Sequence, residues 1–153
     1  MKNIILLLCC LSTLSITAQK IDSPKYTFTD GIEFQLHRFM NAKTAFENNV
    51  TYVAKKGTTY KTGMFEFTNT SNADIEVNFE KIFLLDSKNN KYFPNLVVQA
   101  MKMNLRKQFI YTLKPGKTKT YGVEFWPPFP KDETPRLMVN DEIIELPAPK
   151  NKD

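Results

Sequence analysis

The sequence predicts an all-β protein built from two antiparallel sheets packed face to face, with a small β-barrel as the alternative. Three observations carry this prediction. Apolar and polar residues alternate with a two-residue period over several short runs, and Gly, Pro, Asn and Asp punctuate those runs at near-regular intervals. The 153-residue chain also holds 12 Phe, 6 Tyr and 1 Trp, enough bulk for one core. An amphipathic sheet must cover its apolar face, and a second sheet does so. Alternation alone does not separate a sandwich from a barrel.

Taken in order, residues 1–18 read as an export signal. Lys2 gives a positive start, Ile4 to Leu11 is an apolar run, and Ser12 to Ala18 is small and polar, with cleavage expected after Ala18. Ser12, Thr13, Ser15 and Thr17 interrupt the run, so it is too short to span a bilayer, and the mature chain has no transmembrane segment. Leu8 ahead of Cys9 is not the small residue that lipoprotein processing needs, which makes a lipoprotein the less favoured reading. Both cysteines leave with the signal, and with them any disulfide or thiolate chemistry. The expected setting is extracytoplasmic, periplasmic or secreted.

Residues 19–25 read as a loose leader and residues 26–147 as the sandwich. Tyr26 to Thr29 and Ile32 to His37 alternate around an Asp30-Gly31 turn, a hairpin signal. Residues 41–49 lose the period and read as a loop, or one helical turn carrying Phe46, and Val50 to Ala54 as a strand. Phe65 and Phe67, the Asn69 to Asn72 turn, then Ile75, Val77 and Phe79 read as a second hairpin. Ile82 to Leu85 is apolar throughout and predicts a strand covered on both sides, and Asp86 to Asn90 reverses the chain toward Tyr92. Val97, Met101, Leu105 and Phe109 fall four apart and predict one short helix within residues 96–109. Lys114 to Lys117 is a turn, and Tyr121, Val123 and Phe125 alternate. Trp126 to Pro130 holds three prolines and predicts a loop or an edge. Arg136 to Val139 and Ile143 to Leu146 form a last hairpin around Asn140-Asp141, and residues 148–153 are a lysine-rich tail.

Certain features of residues 59–146 resemble a bacterial secreted-domain family of unknown function whose members have a telokin-like, immunoglobulin-like sandwich. They are Phe65-Glu66-Phe67-Thr68-Asn69-Thr70-Ser71, Phe83-Leu84-Leu85-Asp86 followed by Asn90-Lys91-Tyr92, and Leu113-Lys114-Pro115-Gly116-Lys117 ahead of Val123-Glu124-Phe125. The resemblance implies an immunoglobulin-like fold and an extracytoplasmic setting, and it brings no catalytic residues. The 96–109 segment and the proline-rich stretch after Phe125 depart from the family pattern.

Composition narrows the chemistry. The mature part carries 20 basic and 16 acidic residues without a run of like charges, a poor footprint for nucleic acid. One histidine, His37, and three mature serines, Ser23, Ser71 and Ser87, are a meagre stock for a nucleophilic triad. They also fall short of the usual zinc ligand set. Asp86, Asn89 and Asn90 lack the acidic ladder of a calcium loop and read as a plain turn. The adjacent pairs Asp132-Glu133 and Asp141-Glu142 point apart, so a hydrolase would need carboxylates gathered from distant strands. Asn49-Val50-Thr51 and Asn69-Thr70-Ser71 match a eukaryotic glycosylation triplet and carry no weight beside a bacterial-type signal.

The expected function is therefore non-catalytic binding, without cofactor or metal, to an envelope protein or a carbohydrate. Trp126 and Phe129 are the candidate anchors, because proline-stiffened aromatics bind at low entropic cost. Lys102 and Arg106 on the predicted helix are further candidates. Lys55, Lys56 and Lys61 at one turn and Lys114, Lys117 and Lys119 at another would attract anionic polymers or head groups if they converged. The alternatives are a carboxylate-based hydrolase and an assembly protein that pairs through an edge strand.

Overall fold

A computed structural model describes residues 17–21, 23–48, 50–100 and 107–147, with residues 17–20 as backbone. The chain is all-β and antiparallel. Its main sheet is assembled from β1 (Thr17–Lys20), β2 (Tyr26–Thr29), β3 (Ile32–Ala42), β6 (Thr58–Asn69), β8 (Ile82–Leu85), β9 (Lys91–Gln99), β11 (Thr118–Pro130), β12 (Arg136–Val139) and β13 (Glu142–Ile144). The order across it is β1-β3-β6-β11-β9-β8-β12-β13, with β2 also on β3. Two small sheets complete the fold: β4 (Thr44–Glu47) with β5 (Val50–Val53), and β7 (Ile75–Asn78) with β10 (Ile110–Leu113).

The long sheet curls because β9 serves both layers. Its first residues, Lys91 and Tyr92, pair with Leu85 and Leu84 of β8, and the rest pairs with β11. Inward residues of the large layer, Phe34, Phe39, Phe65, Phe67, Phe125 and Phe129, share one core with Val77, Phe79, Leu84, Leu113, Leu137 and Val139 opposite. Gly63 makes room for this crowd, since a Cβ there would sit 2.5 Å from the Phe65 ring and 3.2 Å from that of Phe39. The two ends of the curl meet through side chains: Tyr26 donates from its hydroxyl to the Glu145 carbonyl at 3.2 Å, and Asn140 donates to that of Phe28. No strand ladder joins them among the described residues, so the fold is a sandwich and not a closed barrel.

Several expectations are corrected. The Phe65 to Phe79 stretch is an arch between layers, since β6 pairs with β3 and β11 while β7 pairs with β10. The predicted helix is replaced at residues 96–99 by β9, where Val97 faces Val123 across the ladder and is buried; residues 101–106 lie outside the described residues. β-Branched neighbours at 97 and 98 favour the pleat, and the four-residue spacing is coincidental there. The loop or helical turn expected over residues 41–49 is replaced by strand at residues 41–42, the end of β3, and at Thr44–Glu47, which is β4; Asn49 lies outside the described residues. Nor is the leader loose. Gln19 and Lys20 pair with Phe39 and Arg38, Ile21 is buried, and buried Ser23 accepts the Leu36 amide proton at 2.9 Å. Residues 1–16 and 148–153, the bulk of the expected signal and the tail, lie outside the described residues.

Candidate functional site

The proline-rich stretch is the largest departure from expectation, because Trp126 to Pro130 continues a central strand. Trp126 pairs with Phe93 on one side, and Phe129 and Pro130 pair with Thr59 and Thr58 on the other. Pro127 and Pro128 occupy the register shift between Phe125 and Phe129, where no ladder proton is required, and the Trp126–Pro127 peptide is cis. The shift turns Phe129 inward. It is 1% exposed, 4.7 Å from the Tyr92 ring and beneath the Lys61 ammonium at 5.1 Å, so it is a core residue and not an exposed anchor.

Trp126 instead supports an arm. β4 and β5 pair in the register Thr44↔Val53, Ala45↔Tyr52, Phe46↔Thr51 and Glu47↔Val50, with Asn48 at positive φ in the reversal. The two-residue period gives the arm two faces. One bears Ala45, Glu47, Val50 and Tyr52 and meets the body at Ala45, which with Ala54 and Tyr60 forms a small buried cluster against which Trp126 and Ala42 lie, while Val50 stays 48% and Tyr52 38% exposed. The Trp126 ring is 4.9 Å from Tyr52, edge to face, and 5.2 Å from Tyr60. The other face turns away from the body. On it Phe46 is 63% and Val53 61% exposed, more than Phe93, Val50, Ile143 or Ile110, the other well-exposed apolar side chains of the described strands.

A polar network fixes the arm to the body. Trp126 donates from Nε1 to Glu124 Oε1 at 2.7 Å. Lys107 bridges Glu47 of β4 and Asn95 of β9, the latter at 3.0 Å. Burial pushes the Glu124 carboxyl above its ordinary value and the nearby Glu47 charge adds to this, while bonds from Trp126 and Asn95 and the charge of Lys107 pull the other way. Burial likewise raises the Tyr60 hydroxyl, with Glu124 and Tyr52 contributing.

The remaining candidates are dispersed. Lys102 and Arg106 lie outside the described residues. Lys55 and Lys56 flank the turn before β6, whereas Lys114 and Lys117 flank the one before β11. Thr59↔Phe129 and Thr68↔Thr118 mark opposite ends of the β6–β11 ladder, nine residues or about 30 Å apart, so the two lysine groups do not converge. His37 faces Glu66 at 3.5 Å, while Ser23 and Ser71 spend their hydroxyls on Pro24 and on Asn69. The Asp86 carboxylate accepts from Lys88 N, Asn90 N, Asn90 Nδ2 and the Tyr92 hydroxyl. No cluster of three metal-ligating side chains occurs among the described residues. Phe46 and Val53 escaped the sequence reading because Phe46 sat in a stretch read as loop, and the run Val50 to Val53 gives no sign of which face is bare.

No known protein-family model matches the chain, and no functionally curated protein matches it. Solved structures do. A conserved hypothetical protein from Bacillus anthracis matches with a TM-score of 0.61 over 88% of this chain and 99% of that one, at 14% identity. The yjhA protein from Bacillus subtilis matches with 0.53 over 80% and 81%, at 16% identity. A functionally unknown protein from Listeria monocytogenes gives 0.53 over 79% and 72%, at 11% identity. At such identities the likeness establishes the fold alone: this is a β-sandwich whose structural neighbours are bacterial and uncharacterised.

Proposed function

We propose that the protein is a non-catalytic, extracytoplasmic binding module that engages an envelope protein through the outer face of the β4–β5 arm. The observation that carries this reading is the paired exposure of Phe46 and Val53 on an arm whose opposite face is fastened to Trp126. A braced hairpin lowers the entropic cost of association, and its outer edges, which pair with no other strand among the described residues, offer a partner strand main-chain bonds. This merges the expected loop-centred and edge-pairing modes on one element. A protein is favoured over a sugar because the ladder sets Thr44 and Thr51, two short hydroxyl side chains, beside Phe46 and Val53, a modest hydrogen-bonding complement for a carbohydrate. The secreted setting and a place in the telokin-like family rest on the signal-like start and on the motifs around Asn69, Asp86 and Gly116.

A hydrolase reading draws on Glu124, whose carboxyl is held up by burial near Glu47. It is less favoured because Trp126 and Lys107 already occupy these carboxylates. The test compares capture of envelope proteins by the parent and by a Phe46→Ser, Val53→Ser variant, both confirmed folded. A partner retained by the parent and bound about tenfold more weakly by the variant, or about 1.4 kcal/mol, is the expected result. Equal retention by both proteins would sink the arm as the interface.

A further inference from the structure

We propose that the cleft at the base of the arm binds a phosphate group, held by Lys43, Lys55, Lys56 and Lys131. The cleft has a volume of about 590 Å³ and lies between the end of β3, the turn before β6 and the residue after β11. Asn41, Thr58 and Thr59 complete its polar wall, and no acidic side chain lines it. None of the four lysines forms an ion pair among the described residues, where the pairs are Lys25–Glu33, His37–Glu66 and Lys107–Glu47. Four lysines lining one concavity, with no acidic side chain in its wall, create a positive field that an anion relieves.

A second observation comes from behind the wall. Lys61 is 3% exposed, and its Nζ donates to Asn41 Oδ1 at 3.1 Å and stands over Phe129, with no ion pair to a carboxylate among the described residues. Burial lowers its pKa, the mark of a charge short of compensation. Because Oδ1 of Asn41 is taken by Lys61, the amide has its Nδ2 protons left to donate, and Asn41 lines the cleft. The chain of contacts runs from buried cation through amide to cavity, so a bound anion would be the missing counter-charge for Lys61.

The donor set selects the anion. Lysines act as compact point charges, and there is no arginine in the wall to grip a planar carboxylate through two bonds. Three of the lining backbone amides are already engaged, since Ala54 N, Thr58 N and Lys131 N donate to Lys43 O, Lys55 O and Gly57 O. A compact tetrahedral phosphate, free or esterified in a lipid head group, suits such a ring. Recognition by ammonium groups alone also makes binding sensitive to salt.

The experiment titrates the purified protein with inorganic pyrophosphate by calorimetry at fixed ionic strength. In parallel it tests cosedimentation with phosphatidylcholine vesicles with and without phosphatidylglycerol. Saturable pyrophosphate binding, weakened about tenfold by Lys43→Gln, Lys56→Gln, Lys131→Gln together and unchanged by Lys114→Gln, Lys117→Gln, supports a soluble phosphate ligand. Cosedimentation only with phosphatidylglycerol, lost in the cleft variant and kept in the other, supports a head group. A Lys61→Met protein should fold and bind several-fold more weakly; binding equal to the parent would overturn the role given to Lys61. Absence of both kinds of binding, or equal loss in the two lysine variants, overturns the site.

Discussion

Asn69 has no exposed surface, and both ends of its amide are engaged. Nδ2 donates to the carbonyls of Ala73 and Leu113 at 2.8 and 2.7 Å, while Oδ1 accepts from Ser71 N and Oγ at 2.9 and 2.7 Å. Its backbone adds a bond each way to the Pro115-Gly116 turn, from Asn69 N to Lys117 O and from Gly116 N to Asn69 O. One residue thus ties the end of β6 to the start of β7, to the end of β10 and to the turn that begins β11. Asn69→Asp keeps the shape but sets a carboxylate against two carbonyls, leaving both without a donor. We expect a loss of about 3 kcal/mol, read by urea unfolding, with Asn69→Ala less damaging than Asp. A turn residue was legible here in the sequence, and its burial was not, because nothing local tells a hairpin turn from an arch whose tip folds into the core. Lys61 was hidden for the same reason: its neighbours Thr59 and Gly63 give no apolar alternation to mark the inner face.

The turn between β8 and β9 is an element held by one charge. Asp86 is buried, which by itself raises its pKa, yet bonds from the Asn90 side chain and backbone, the Tyr92 hydroxyl and Lys88 N outweigh this and leave it below its ordinary value. The same contact works on Tyr92, whose hydroxyl is pushed up to about 12 by burial first, then by the bond and charge of Asp86 and by Glu133. A carboxyl lowered in the folded state contributes stability that is whole above its ordinary value and is lost as pH falls through the folded one. Asp86→Asn should therefore be less stable than the parent at neutral pH, and the gap should close as the medium is acidified below about pH 4. Urea midpoints across that range measure it, and a gap independent of pH would refute the assignment. Turns of this kind were readable in the sequence because Asn, Asp and Gly are needed at positive φ, as at Gly31, Asn89, Gly116 and Asn140. Pairing was not, since β6 and β7 are neighbours in sequence but belong to different ladders.

At the scale of the whole molecule, alternation revealed the sandwich because burial on one face imposes a period of two wherever a sheet forms. It failed at two kinds of place. Where a strand crosses from one layer to the other, as β9 does at Tyr92 to Phe93, or runs through prolines, as β11 does, the period breaks without the strand ending. Where a strand stands off the core, as β5 does, no burial exists to impose a period: Val50 to Val53 is exposed at every position. The same contrast should govern local stability. β6 is bonded to β3 on one edge and β11 on the other along its length, and its inward side chains Phe65 and Phe67 are fully buried, so its amides open only when the molecule unfolds. The arm has one internal ladder and is held to the body by the small cluster around Ala45, Tyr60 and Trp126 and by the Glu47–Lys107 contact. Native-state hydrogen exchange should accordingly find the amides of β6 and β11 protected to the global unfolding free energy and those of β4 and β5 exchanging at least about a hundredfold faster, a gap of about 2.7 kcal/mol. Engagement of the arm by its partner should then slow β4 and β5 selectively, because only they gain donors and acceptors across the new edge. Slowing spread evenly over β6 and β11 would instead mean that the partner binds elsewhere and stabilises the fold as a whole.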